Sequence, residues 1–246
     1  MKGPGELRNA HGERLDTAFH AGAPGRRELV VIAHGVTSSK DRPWLVELAR
    51  GLEREGVAAL RLSFAGNGDS QGRFEDATPS KSVDDLRSVL AALDGWTVAY
   101  AGHSMGAAVG VLCAARDARL RALVSLAGML HVGRFFATHF ARLDFGAPML
   151  GKRHCPWNRA LANDAQRLGS LVGDARAVRV PWLLVHGTAD ELVPYADALD
   201  ARAAAGATAR VELLEGVDHR FTGAIDDLVA LTVPWLARTL RGEDAA

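Results

Sequence analysis

The sequence has little cysteine, no long apolar run and no excess of charge of either sign. Its two cysteines, Cys113 and Cys155, are too few for a disulfide framework, so we expect free thiols in a reducing cytoplasm. No apolar stretch approaches the ~20 residues that a membrane helix needs, and no apolar run follows the polar start at residues 1–6, so we expect no secretory signal. Basic and acidic residues number 29 each, which argues against nucleic acid or a membrane as a partner. We therefore expect a soluble cytoplasmic protein, whose oligomeric state the composition leaves open.

Short apolar runs alternate with helical patterns along the chain. The run Leu29–Ala33 is typical of a buried strand, and residues 44–55 follow it with leucines at helical spacing. The same succession of an apolar run and a helical pattern predicts strands at 58–64, 96–101, 121–127, 180–185 and 210–214, and helices at about 80–93, 105–115, 195–205 and 223–240. This alternation favours one α/β domain over residues 1–246, with a mostly parallel sheet and helices on both faces.

Two segments depart from this alternation. Residues 6–19 are predicted to form an antiparallel hairpin at the sheet edge, with a turn near residues 10–13. Residues 128–179 contain helical pieces such as 134–143 but no clear buried strand, and they lie between two predicted sheet strands. We predict that this second segment is an inserted cap over the carboxyl ends of the strands, where open α/β sheets bind ligands.

A G-x-S-x-G motif occupies residues 102–106, between a predicted strand and a predicted helix. A nucleophilic serine needs a sharp turn that projects its hydroxyl above the sheet, and flanking glycines remove side chains that would collide there. The N-terminus of the following helix also favours a developing oxyanion. We therefore predict Ser104 as a nucleophile; the alternative is a glycine-rich turn with a capping serine.

A serine hydroxyl needs a base that takes its proton and a carboxylate that orients the base. Asp190 follows the strand predicted at 180–185, and His219 follows the strand at 210–214, in the order typical of such hydrolases. Both loops lie at the sheet edge that carries Ser104. Asp190 and His219 are our candidates, and Glu191 and Asp218 are the rival carboxylates.

Two backbone N–H groups should bind the oxyanion. One is expected from Met105, after the nucleophile, and one from Val36, in the loop after the first buried strand, where Gly35 permits close approach of the backbone. The alternative is that this loop is only a turn. His34 and His186 each precede a glycine at a strand end and could line the site, and we expect His103 to pack within the serine turn.

From about residue 6 to residue 240 the chain resembles the α/β-hydrolase superfamily. The stretches 34–41 and 64–74 are similar to motifs of bacterial esterases related to the cinnamoyl (feruloyl) esterases, although Asn67 and Ser63 stand where His and Asp are common. The resemblance implies an α/β-hydrolase fold and no metal or organic cofactor. It implies the same site residues: Ser104 as nucleophile, His219 as base, Asp190 as orienting carboxylate, and Val36 and Met105 as oxyanion donors.

We therefore predict a serine hydrolase that cleaves carboxylic esters of small molecules through an acyl-enzyme. Thioesterase, lactonase or peptidase activity with the same triad, cofactor-free lyase or perhydrolase chemistry, and a non-catalytic small-molecule-binding protein are the alternatives. Within the predicted cap, one helical face carries Phe135, Phe136, His139, Phe140 and Leu143. This face would either roof an acyl or aryl pocket or pack the cap onto the core.

Overall fold

A twisted seven-stranded sheet runs through the computed structural model, which describes residues 3–243. The ends of the predicted domain, at residues 1–2 and 244–246, lie outside the described residues. In chain order the strands are β1 (Leu7–Arg8), β2 (Arg14–Leu15), β3 (Thr17–His20), β4 (Glu28–Ala33), β5 (Ala58–Leu62), β6 (Thr97–His103), β7 (Leu120–Leu126), β8 (Pro148–Met149), β9 (Lys152–Pro156), β10 (Trp182–Gly187) and β11 (Ala209–Leu214). The helices are α1 (Pro43–Arg54), α2 (Pro79–Ala92), α3 (Met105–Ala114), α4 (Val132–Phe140), α5 (Arg159–Leu168), α6 (Val172–Ala177), α7 (Ala196–Ala205) and α8 (Ile225–Arg241).

The large sheet has the order β11-β10-β7-β6-β4-β5-β3, and every neighbouring pair is parallel except β3 with β5. Its five inner strands are buried on both faces, which explains their continuous apolar runs. In β4, for example, Leu29 and Val31 belong to one hydrophobic cluster and Val30 and Ile32 to the other. The first cluster includes residues of α2, α3 and α7, and the second includes residues of α1 and α8. The predicted α/β fold with a mostly parallel sheet and helices on both faces is confirmed.

The N-terminal antiparallel hairpin is also confirmed, but it does not form the sheet edge itself. Strands β1 and β2 pair with each other in a separate two-stranded ribbon. The Asn9 side chain closes their turn by accepting hydrogen bonds from the N–H groups of His11 and Glu13, both at 3.0 Å. The antiparallel edge is β3, which follows the hairpin and pairs with β5.

Between β7 and β10 the chain forms α4, the antiparallel ribbon β8–β9, α5 and α6. The ribbon was not predicted, because β9 is largely polar and lacks apolar alternation. It turns through Leu150 and Gly151, both with positive φ. Within residues 3–243, no helix combines the length and the apolar character required to cross a bilayer.

Candidate active site

Ser104 occupies the turn between β6 and α3, with φ 56° and ψ −118°. Its N–H donates a hydrogen bond of 2.9 Å to the carbonyl of Leu126, which ties the turn to β7. Both flanking glycines are sterically required. A Cβ at Gly102 would lie 2.3 Å from the carbonyl oxygen of Gly106, and a Cβ at Gly106 would lie 2.5 Å from that of His34. The motif therefore packs strand, turn and helix closely enough to hold a non-glycine residue at positive φ.

His219 and Asp190 meet at the carboxyl ends of β11 and β10. Their side chains are joined by a hydrogen bond of 2.7 Å between His219 Nδ1 and Asp190 Oδ2. The other carboxylate oxygen of Asp190 accepts hydrogen bonds from the N–H groups of Leu192, at 2.9 Å, and Val193, at 2.8 Å. Since Nδ1 faces the carboxylate, Nε2 is the ring nitrogen of His219 that remains for another partner.

Asp190 also contacts a second histidine, which the sequence indicated only as a possible lining residue. His186 Nε2 lies 3.1 Å from Asp190 Oδ2 and 2.9 Å from the carbonyl oxygen of Val193. The carbonyl can only accept, so Nε2 of His186 carries the proton. Burial would raise the pKa of Asp190, but the hydrogen bonds from His186 and His219 outweigh it, and the pKa lies below its ordinary value. The carboxylate is thus held in its charged form.

The loop after β4 brings Val36, one of the two candidate oxyanion donors, to the serine, and Met105, the other candidate, directly follows Ser104 in the chain. A Cβ at Gly35 would lie 2.8 Å from Ser104 Cβ and 3.2 Å from Ser104 Oγ, so the loop backbone passes directly beside this serine. Within residues 3–243, neither the N–H of Val36 nor that of Met105 donates a hydrogen bond to a protein acceptor. Both N–H groups therefore remain available to an acceptor outside the protein.

The imidazole of His34 holds this loop in place through two hydrogen bonds. Its Nδ1 lies 2.7 Å from the carbonyl oxygen of Gly35, and its Nε2 lies 3.1 Å from the backbone nitrogen of Phe64. One ring nitrogen donates and the other accepts, so the hydrogen bonds require the neutral imidazole. Burial lowers the pKa of His34 to about 4.

His103 supports the opposite side of the serine turn. Its Nε2 donates a hydrogen bond of 2.9 Å to the carbonyl of His219, and its ring centroid lies 4.8 Å from that of His219 and 5.0 Å from that of Trp44. Burial lowers the pKa of His103 to about 3. This neutral ring holds the His219 loop against the turn, in line with the packing role expected of it.

The two carboxylates that the sequence offered as alternatives to Asp190 have different surroundings. The carboxylate of Asp218 accepts hydrogen bonds from the Thr222 hydroxyl and from the N–H groups of Arg220 and Thr222. Glu191 is exposed. In the described part of the chain, no group of three or more His, Cys, Asp or Glu side chains is placed to hold a metal ion.

A cavity of about 340 Å³ opens above the serine. Ser104, His219 and Val36 line its base, while Phe135 and Lys152 reach it from the segment between β7 and β10. The aromatic face of α4 is divided between this cavity and the interior of the segment between β7 and β10. Phe135 faces the cavity, whereas Phe136 and Phe140 are buried against Trp157, and Phe136 stacks on that indole at 5.9 Å.

The sheet, the serine turn and the loops at its carboxyl edge define an α/β-hydrolase, and this identification from the sequence is confirmed. The family model described as serine aminopeptidase, S33, matches residues 24–170, more than half of the chain. The chain belongs to this family of hydrolases. The matched segment contains Ser104 and the loop of Val36 and ends before Asp190 and His219.

Several solved structures and curated proteins are similar to the chain. Est1E from Butyrivibrio proteoclasticus, solved with ferulic acid bound, is 20% identical with a TM-score of 0.86, over 96% of this chain and 99% of that one. The esterase domain of a Rhodothermus marinus protein is 22% identical with a TM-score of 0.73, over 95% of this chain and 96% of that one. An uncharacterized protein of Mycobacterium tuberculosis is 27% identical over 210 residues, which are 84% of this chain and 68% of that protein. The structural likenesses establish the fold.

Proposed function

We propose that the protein is a serine esterase that hydrolyses carboxylic esters of small molecules. The observation that carries the proposal is the arrangement around one cavity of Ser104 on a strained turn, a histidine tied to a carboxylate, and two free backbone donors. This is the set of groups that acyl transfer to a serine requires. The esterases among the structural relatives support the same choice of substrate bond.

In the proposed reaction Ser104 Oγ adds to the ester carbonyl while Nε2 of His219 takes the hydroxyl proton. The negative charge that develops on the carbonyl oxygen is received by the N–H groups of Val36 and Met105. Asp190 holds the imidazole and stabilises its protonated form. The tetrahedral intermediate expels the alcohol, which takes the proton from His219, and leaves an acyl group on Ser104. Water then gives a proton to His219 and attacks the acyl group, and His219 returns that proton to Ser104 Oγ as the acid is released.

We propose that residues 128–179 act as a cap that shapes the acyl or aryl pocket. Phe135, Leu150 and Lys152 of this segment line the cavity, and Lys152 Nζ donates a hydrogen bond to the carbonyl of Thr37, in the loop that contains Val36. The segment thus contacts both the substrate space and the loop that positions Val36. Free, buried Cys113 and Cys155 support our proposal of a cytoplasmic location.

The test is turnover of p-nitrophenyl acetate and butyrate by the wild type, by Ser104→Ala and by Ser88→Ala. Ser88 lies on α2 and its hydroxyl donates to the carbonyl of Asp84, so it is a matched control away from the cavity. We expect the wild type and Ser88→Ala to share one rate and Ser104→Ala to lose it. Equal trace rates in all three proteins would contradict the proposal. Matched ester, thioester and amide substrates then distinguish an esterase from a thioesterase or a peptidase.

A further inference from the structure

The cavity above Ser104 has an unbalanced charge. Arg42 from the start of α1, Lys152 from β9 and Arg220 from the loop after β11 all line it. Among the described residues, no aspartate or glutamate lines the same cavity. Three cationic side chains from three separate parts of the chain therefore converge on the space where a substrate must lie.

These cations lack the carboxylate partners that neighbouring cations have. Lys40 forms ion pairs with Asp16 at 3.0 Å and Asp41 at 2.7 Å, and Arg61 pairs with Asp41 at 2.6 Å. Within residues 3–243, by contrast, no carboxylate forms an ion pair with the side chain of Arg42 or Lys152. The two are held instead by neutral groups of the loop that carries the oxyanion donor Val36.

Hydrogen bonds to uncharged acceptors position both side chains and leave their positive charges uncompensated. Arg42 Nε donates a hydrogen bond of 2.7 Å to the Ser38 hydroxyl, and Lys152 Nζ donates to the Thr37 carbonyl. Burial first, and then repulsion from Arg42, lowers the pKa of Lys152, with a smaller effect of Arg220. Like charges held together in a partly buried site favour an anion that neutralises them.

We propose that the natural substrate is an ester that carries a carboxylate, and that Arg42 and Lys152 bind this carboxylate while Arg220 attracts it at the cavity mouth. The inference rests on the proposed esterase function and adds the charge of the substrate to it. A guanidinium and an ammonium form charge-assisted hydrogen bonds with a carboxylate, and those bonds are stronger than neutral ones. Phe135 and Leu150 line the same cavity and offer apolar contacts to the rest of the molecule.

The first experiment compares carboxylate esters with neutral esters of the same shape. On the acid side, the mono-p-nitrophenyl ester of adipic acid is paired with its terminal amide. On the alcohol side, 4-acetoxybenzoate is paired with 4-acetoxybenzamide. Each kcat/KM is divided by the alkaline hydrolysis rate of the same ester, which removes differences in intrinsic reactivity. We expect the wild type to favour the carboxylate about tenfold or more in at least one pair, and the favoured pair identifies the side of the ester that carries the charge.

The second experiment measures the same ratio in Arg42→Gln, in Lys152→Gln and in the double variant. Arg153→Gln is the matched control, because it removes the same charge from the adjacent, exposed position of β9 without touching the cavity lining. We expect the ratio to approach one in the double variant and to keep its wild-type value in Arg153→Gln. Raising the salt to about 0.5 M should also reduce the wild-type ratio.

Equal normalised rates for carboxylate and amide in both wild-type pairs would overturn the inference while leaving the esterase proposal intact. So would substitutions that slow both members of a pair equally, because that result means the cations act on the oxyanion common to all esters. Failure of the esterase proposal gives a different result, namely no serine-dependent turnover of any ester.

Discussion

Two buried, neutral histidines lie beside the serine. They should make the free energy of unfolding fall as the solution becomes mildly acidic. His34 is held by one donated and one accepted hydrogen bond, and His103 is packed between Trp44 and His219. Burial lowers the pKa of His34 to about 4 and that of His103 to about 3. In the unfolded chain both imidazoles would bind a proton near pH 6.5.

The sign of the effect follows from proton binding. Below about pH 6.5 the unfolded state binds more protons than the folded state, so the free energy of unfolding falls as the pH falls. For each histidine the loss between pH 8 and pH 5 is about 2 kcal/mol, and for both it is about 4 kcal/mol. The loss continues until the pH reaches about 4 for His34 and about 3 for His103. The lowered pKa of Asp190 acts only at lower pH, where protonation of its carboxylate removes a further contribution.

Urea unfolding at pH 8, 7, 6 and 5 measures this dependence directly. We expect the wild type to lose about 4 kcal/mol over that range, and His34→Asn and His103→Gln to lose about 2 kcal/mol less each, whatever their stability at pH 8. His154→Gln, which removes an exposed histidine on β9, is the control and should keep the wild-type slope. A wild-type free energy of unfolding that stays constant from pH 8 to pH 5 would refute the assignment of both histidines as buried and neutral.

Two further substitutions test the site geometry. Gly35→Ala places a Cβ 2.8 Å from Ser104 Cβ, so kcat/KM for p-nitrophenyl butyrate should fall about a hundredfold or more. The control Gly173→Ala adds its Cβ in open space and should not change kcat/KM. Equal rates for the two variants would mean that the loop does not border the nucleophile. Asp190→Asn removes the charge that orients His219, so kcat should fall about 10³- to 10⁴-fold. A wild-type kcat in Asp190→Asn would assign the orienting role to another residue.

Much of the fold was predictable because its signals are local. Strands buried on both faces require continuous apolar runs such as Leu29–Ala33, and the serine turn requires glycine at 102 and 106, where any Cβ would collide with backbone. These requirements leave a pattern within a few residues of each element. The positions of Asp190 and His219 followed from the parallel sheet, since adjacent strands end at the same edge.

Contacts that depend on the path of a loop or on distant segments left no such pattern. The hydrogen bond of His186 with Asp190 depends on a loop that folds back over the end of β10, and the sequence indicated only that His186 could lie near the site. The ribbon β8–β9 has exposed side chains without alternation, so its pairing and the reach of Lys152 to Thr37, 115 residues away, were not predictable. The charge of the cavity is a property of those long-range contacts, and it became visible only in the structure.

Covalent labelling measures whether Ser104 is an activated nucleophile, as we propose. The protein is treated with a fluorophosphonate at pH 8, and its intact mass and labelled peptide are determined by mass spectrometry. We expect one adduct per chain, located on Ser104, absent from Ser104→Ala and formed more slowly by Asp190→Asn. An unlabelled wild type, or equal labelling of Ser104→Ala, would refute the proposed nucleophile and favour a small-molecule-binding protein on a hydrolase fold.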